Sequence, residues 1–125
     1  MHKISYRVYY EDTDAGGVVY HSNYLNFAER ARTEWLRELG FNQSELDLFF
    51  VVRNIEIEYL FPARLDDEIC VQTSLQNIGR ASINMTQDFY KDDKILAKMK
   101  LVLVTVSRDI KVIAVPPEIK NKLLG

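Results

Sequence analysis

Between Tyr10 and Tyr24 the chain reads Tyr-Glu-Asp-Thr-Asp-Ala-Gly-Gly-Val-Val-Tyr-His-Ser-Asn-Tyr. Asp12, Asp14, the Gly16-Gly17 pair and His21, one of 2 histidines, fall within this short stretch. Paired glycines let a backbone take positive φ and approach a ligand closely, at an entropic cost that a plain surface connection need not bear. Ser22 or Asn23 suits the N-cap of a helix that follows, so unpaired N–H groups near His21 to Tyr24 face back toward the loop, with the positive end of the helix dipole behind them. That end suits a developing oxyanion. With Asp14 a few residues upstream, a carboxylate and an oxyanion site face one carbonyl from two sides, the minimal layout for hydrolysis at an acyl carbon.

The same residues carry bland readings. An Asp-rich loop before a helix is commonly a turn with Asx hydrogen bonds. His21 serves equally as a solvated or capping residue, and Tyr10 as a core residue ending a strand, its hydroxyl reaching a partner. Asp12-Thr13-Asp14 also echoes the start of a calcium loop, but that template requires Asp or Asn where Gly16 stands and Glu where Asn23 stands. Neither the lone Cys70 nor the widely separated His2 and His21 makes a metal-ligand cluster. No metal and no cofactor are expected.

Tyr10, Asp14, Gly17, Val18, Val19, His21 and Tyr24 together resemble the pattern Tyr-x-x-x-Asp-x-x-Gly-Val-Val-x-His-x-x-Tyr of the hot-dog-fold acyl-CoA thioesterases of the 4-hydroxybenzoyl-CoA thioesterase type. Within that family the match is nearest to the bacterial subfamily associated with the Tol-Pal envelope system. It continues through Glu29-Arg30-Ala31-Arg32 and, more loosely, to the end of the chain. The resemblance implies Asp14 as the catalytic carboxylate, assisted by Tyr10 and His21, with Gly17, Val18 and Tyr24 beside the substrate. It implies Arg80, just past a glycine turn, near the coenzyme A nucleotide. A second branch of such enzymes carries its carboxylate on the central helix, which makes Glu29 a rival to Asp14. From the residues themselves Glu29 reads first as the partner of Arg32, whose guanidinium falls inside an apolar stripe and must snorkel or pair.

A length of 125 residues fits one domain, residues 1–125, with a single core. With 47% hydrophobic and 27% charged residues the composition is that of an ordinary globular protein. A net charge of −2 favours neither nucleic acid nor an anionic membrane as partner. The first residues lack a signal-peptide pattern, no stretch approaches a membrane span, and a lone cysteine permits no internal disulfide, so a cytoplasmic location is expected.

Alternation predicts a first strand over Ile4–Tyr10, and a helical period follows over Tyr24–Leu39, stopped by Gly40. Asn42–Phe49 reads as a short helical connection and a candidate wall of an acyl pocket. Strands are expected over Asn54–Phe61, Glu68–Leu75, Ala81–Tyr90 and Ile95–Val106, joined as a meander, with a last strand over Lys111–Val115 and a short terminal helix after Pro116. One long helix among strands predicts an α+β fold with an antiparallel sheet wrapped around that helix, the hot-dog architecture.

Val102, Val104 and Val106 oppose Leu101, Leu103 and Thr105, so the last long strand is expected to be apolar on both faces. Pairing of subunits would cover the outer row, and the resemblance implies a homodimer or homotetramer with the site at the subunit interface. The expected substrate is an acyl-CoA, with acyl carrier protein as an alternative carrier. The rival from another class is a non-catalytic hot-dog module that binds acyl-CoA or acyl carrier protein. A hydratase would need a His and carboxylate pair placed differently.

Overall fold

The helical stripe forms α1, Asn23–Glu38, and buries Tyr24, Phe27, Ala28, Ala31, Trp35 and Leu36 along one side. Gly40, at φ 98°, ends it in a conformation that L side chains rarely adopt. In the computed structural model, which describes residues 1–125, five strands pack against this helix: β1 His2–Arg7, β2 Phe49–Tyr59, β3 Glu68–Ile78, β4 Ser82–Lys91 and β5 Lys94–Val106. They form a single antiparallel sheet in the order β1-β3-β4-β5-β2. Val71, Ile83, Met85, Phe89, Met99, Leu101 and Leu103 face α1 in one continuous core. A fully buried side chain of the size of Phe27 or Phe89 contributes about 2–3 kcal/mol. The terminal helix α2, Pro117–Leu124, adds Ile119 and Leu123 to the same core.

Several expectations need correction. β1 stops at Arg7, and Tyr10 lies in a 3-10 turn, Tyr10–Asp12, rather than ending a strand. The meander holds only for β3, β4 and β5, since β2 pairs with β5 on the far side of the sheet from β3. The connection through Pro62 crosses the end of the sheet to reach it. The helical link is a single turn, Gln43–Glu45, and β2 begins at Phe49. A register shift between Val52 and Asn54 lets inward-facing Val52 and Ile55 share a face across an irregular step. Lys111–Val115 forms no regular strand: Val112 bridges Val106, and Ile113 N–H and Val115 N–H donate to the Thr105 and Arg80 carbonyls, along the short stretch of β5 beyond Val104 that β4 leaves unpaired. The outer valine row is shorter than expected: Val106 is 3% exposed and Val102 and Val104 are half-buried, beside polar Thr86, Asp88, Lys98 and Lys100.

Candidate active site

The loop between the 3-10 turn and α1 folds back on itself. Asp14 N–H donates to the Val18 carbonyl and Gly17 N–H to the Asp14 carbonyl, while Thr13 bridges Val19. Gly17 turns the chain at φ 79°, the left-handed region that glycine enters without strain. Val19 N–H donates to Ala63 and Val18 bridges Arg64, so the loop is laid against the segment that leads into β3. Asp14 is exposed, and one of its oxygens, Oδ1, accepts Gly16 N–H at 2.8 Å. A Cβ at Gly16 would stand 3.1 Å from that oxygen, so a side chain there would press on the carboxylate.

Tyr10, Asp14 and Gly17 line one open cleft of about 410 Å³ with Thr13, Ala15 and Leu65. At 82% exposure Tyr10 is not a core residue, and its phenol is free to meet a ligand. His21 is exposed as well, with its ring 4.5 Å from that of Tyr20 and 6.4 Å from that of Tyr59. Neither Tyr10 nor His21 hydrogen-bonds Asp14 within the chain. The Tyr59 hydroxyl donates to the His21 carbonyl at 2.6 Å, which pins the start of α1 to the end of β2. Burial pushes the Tyr59 phenol above its ordinary value. Tyr24 is 3% exposed, packed edge-on against Tyr59 and Phe89. Burial raises its phenol too, opposed by a hydrogen bond at the Ala63 backbone. In the single chain Tyr24 is a core residue.

At the helix start the expected cap is absent. Ser22 has helical angles and its hydroxyl makes no capping bond. Asn23 N–H and Leu25 N–H donate to Tyr20 and Ser22 carbonyls, whereas those of His21, Ser22 and Tyr24 meet no backbone carbonyl. These free donors, at the positive end of a helix of 16 residues, suit an oxyanion.

Arg80 lies elsewhere. It follows the end of β3, while the Asp14 loop rests against residues just before the start of that strand, 11 residues and about 35 Å away. A separate cavity of about 210 Å³ opens along the middle of α1, lined by Arg32, Trp35, Gln43, Phe50, Val52 and Leu123 among others. It is apolar enough for an acyl chain but is not contiguous with the Asp14 cleft within one chain. Arg32 on its wall donates to Gln87 Oε1 at 2.9 Å, not to Glu29 as expected. Burial lowers the guanidinium pKa, an effect that the nearby Glu29 charge opposes. Gln87 is fully buried, and its amide also donates to Ala28 and Thr73. The polar anchor of this cavity was not read from the sequence, where Gln87 is one polar residue in an alternating strand.

Asp12 is a further residue whose place in the site shows only in the folded chain. It is 7% exposed, and its Oδ2 accepts Tyr9 N–H at 2.8 Å while Oδ1 accepts Asn23 Nδ2 at 2.8 Å. The signal was the spacing of three between Tyr9 and Asp12, which lets a carboxylate reach back to a backbone donor.

Residues 16–98 match the thioesterase superfamily. The chain is 45% identical over 120 residues to the acyl-CoA thioesterase YbgC of Haemophilus influenzae, covering 91% of this chain and 88% of that one. It is 48% identical over 101 residues to the acyl-CoA thioester hydrolase YbgC of Escherichia coli O6:H1, covering 78% and 75%. Among solved structures, a probable thioesterase from Bartonella henselae superposes with a TM-score of 0.89 at 36% identity, over 92% of this chain and 98% of that one. A sheet packed on one central helix, a glycine loop carrying an exposed aspartate, and these likenesses agree: the chain belongs to the thioesterase superfamily and has its hot-dog fold.

Proposed function

We propose that this protein hydrolyses acyl-CoA thioesters to a free acid and coenzyme A, with Asp14 as the reacting carboxylate. The observation that carries this reading is the exposed Asp14 carboxylate on a hydrogen-bonded loop beside the free N–H groups that open α1. The similarity to proteins named as acyl-CoA thioesterases supplies the substrate class.

Two routes fit. In the first, an Asp14 oxygen attacks the thioester carbonyl, the C–S bond breaks, and water then hydrolyses the mixed anhydride and restores the carboxylate. In the second, Asp14 takes a proton from the water that attacks the carbonyl. In both, the N–H groups of His21, Ser22 or Tyr24 hold the oxyanion. His21 orients the water or protonates the departing thiolate, and Tyr10 hydrogen-bonds the carboxylate or the substrate.

The acyl group needs a second chain. β2 is an edge strand, with Val51 37% and Val52 44% exposed and nothing paired along its outer side. Antiparallel pairing of two such edges sets the start of one β2 beside the end of the other. That arrangement brings the Asp14 loop of one subunit to the cavity beside Phe50 and Val52 of its partner, and Arg80 to the same end. A homodimer, paired again or not, thus unites residues that one chain keeps apart, with Gly17 and Val18 against the substrate. Coenzyme A phosphates meet Arg80 across this interface. Arg80→Glu is expected to raise the KM for acyl-CoA about tenfold while sparing an acyl-pantetheine thioester. An unchanged KM contradicts that assignment.

Thiol release measured over acyl-CoAs of increasing length, with enoyl-CoA hydration followed in parallel, tests the reaction class. Release without hydration is expected. Binding without release would favour a non-catalytic acyl-CoA or acyl carrier protein module instead.

A further inference from the structure

We propose that Asp12 is a positioning residue for this reaction, a buried clasp that fixes the Asp14 loop against the helix that supplies the oxyanion donors. The inference deepens the thioesterase reading above and rests on it. Asp12 holds both limbs of the loop at once. Its Oδ2 accepts Tyr9 N–H on the incoming limb, its carbonyl accepts Tyr20 N–H on the outgoing limb, and its Oδ1 accepts Nδ2 of Asn23, the first residue of α1.

The far side of the clasp is fixed as well. Asn23 Oδ1 accepts Asn26 Nδ2 at 2.8 Å, so the Asn23 amide is oriented with its nitrogen toward Asp12. Asp14 lies two residues beyond Asp12, and the free N–H groups of Ser22 and Tyr24 flank Asn23. One buried carboxylate therefore sets the separation between the reacting group and the oxyanion site. Charge-assisted bonds of this kind are shorter and stronger than neutral ones. Plain loop-closure does not demand a buried charge, since the Asp14–Val18 and Thr13–Val19 contacts already close the turn.

The geometry suggests an exchange experiment. Asp12→Asn keeps an oxygen for Tyr9 N–H but opposes its amide nitrogen to that of Asn23, donor against donor. Adding Asn23→Asp reverses the polarity of the bond and remakes it, and an acidic residue in the first turn of α1 is favourable there. Thiol release from one acyl-CoA is measured for the wild type, both single variants, the double variant and Asn23→Ala, together with thermal melting. The single variants are expected to lose kcat by roughly 10- to 100-fold with KM within about threefold, as for a misplacement of an ångström or less. The double variant is expected to recover kcat to within about fivefold of the wild type. Asn23→Ala, which keeps Asp12 intact and deletes one bond, serves if Asp12→Asn does not fold, and should show the same selective loss of kcat.

Folded single variants with wild-type kcat overturn the proposal, as does a folded double variant no faster than the singles. If those results accompany an inactive Asp14→Asn, the thioesterase reading stands and only the clasp is wrong. A wild type that releases no thiol from any acyl-CoA sinks both.

Discussion

Asp14 is an unusual aspartate for its accessibility and its restraint together. It is exposed, yet its backbone N–H and carbonyl are both bonded within the loop and one carboxylate oxygen is bonded to Gly16 N–H, which leaves the other oxygen oriented and free. Such preorganisation matters because a reacting group out of line by about 1 Å can lose about 100-fold in rate. Gly16 gives a direct handle on it. Its backbone is not in the left-handed region, so Gly16→Ala carries no conformational penalty of that kind, but the new Cβ would stand 3.1 Å from Asp14 Oδ1. We expect kcat to fall about tenfold or more while thermal stability stays within about 1 kcal/mol. Wild-type kcat in this variant would show that the Gly16 bond does not orient the carboxylate. At this scale Asp14, His21 and Tyr10 stand out as candidates because their types and spacing are visible in the chain. Asp12 and Gln87 do not, because their roles come from burial and from partners far along the sequence or across a turn.

At the scale of elements, the segment between β2 and β3 does the most for the site. Arg64 bridges Val18, Ala63 accepts Val19 N–H, and Asp67 organises the same segment by accepting Arg64 N–H and Lys91 Nζ, each at 2.8 Å. Burial alone pushes the Asp67 carboxyl up, but the Lys91 and Arg64 hydrogen bonds outweigh it and hold the carboxyl below its ordinary range. A depressed folded value means that the stabilisation is fully present above the unfolded value, about 3.9, and is lost as pH falls through the folded one. Urea melts of the wild type and Asp67→Asn should therefore differ at neutral pH and converge as the pH falls through the depressed folded value of the carboxyl. A gap unchanged across that range would contradict the ion pair. The helix α1 and the hairpins of β3, β4 and β5 were legible because their periods are clean and their turns carry Asn-Ile-Gly and Lys-Asp-Asp-Lys. The start of β2 was not, since Phe49-Phe50-Val51-Val52 is an unbroken apolar run whose strand continues only past a register shift. The expected strand over Lys111–Val115 shrank to a bridge and a few backbone bonds for a reason outside its own residues, the short stretch of β5 past Val104 that β4 leaves open to it.

For the whole molecule, the sheet is asymmetric in its exposure. Its inner face is filled by α1 and α2, its outer face is largely polar, and its β2 edge carries exposed Phe49, Val51 and Val52. Leu123 lines the inner cavity, so α2 does not cover Val102 and Val104. Within the strands the exposed large apolar side chains, Phe49, Val51, Val52 and Tyr59, all lie on β2, which favours strand-to-strand pairing of two copies. Light scattering should give at least twice the chain mass of 14.6 kDa, and activity per chain should fall on dilution below the dissociation constant. A monomer fully active at nanomolar concentration contradicts the shared site. The role of Asp14 does not depend on the assembly and is tested by one substitution. Asp14→Asn preserves size and can still accept Gly16 N–H, so it is expected to fold as the wild type does and to lose about 1000-fold or more of kcat for thiol release from acyl-CoA. A folded Asp14→Asn variant that retains full turnover would rule out Asp14 as the reacting carboxylate.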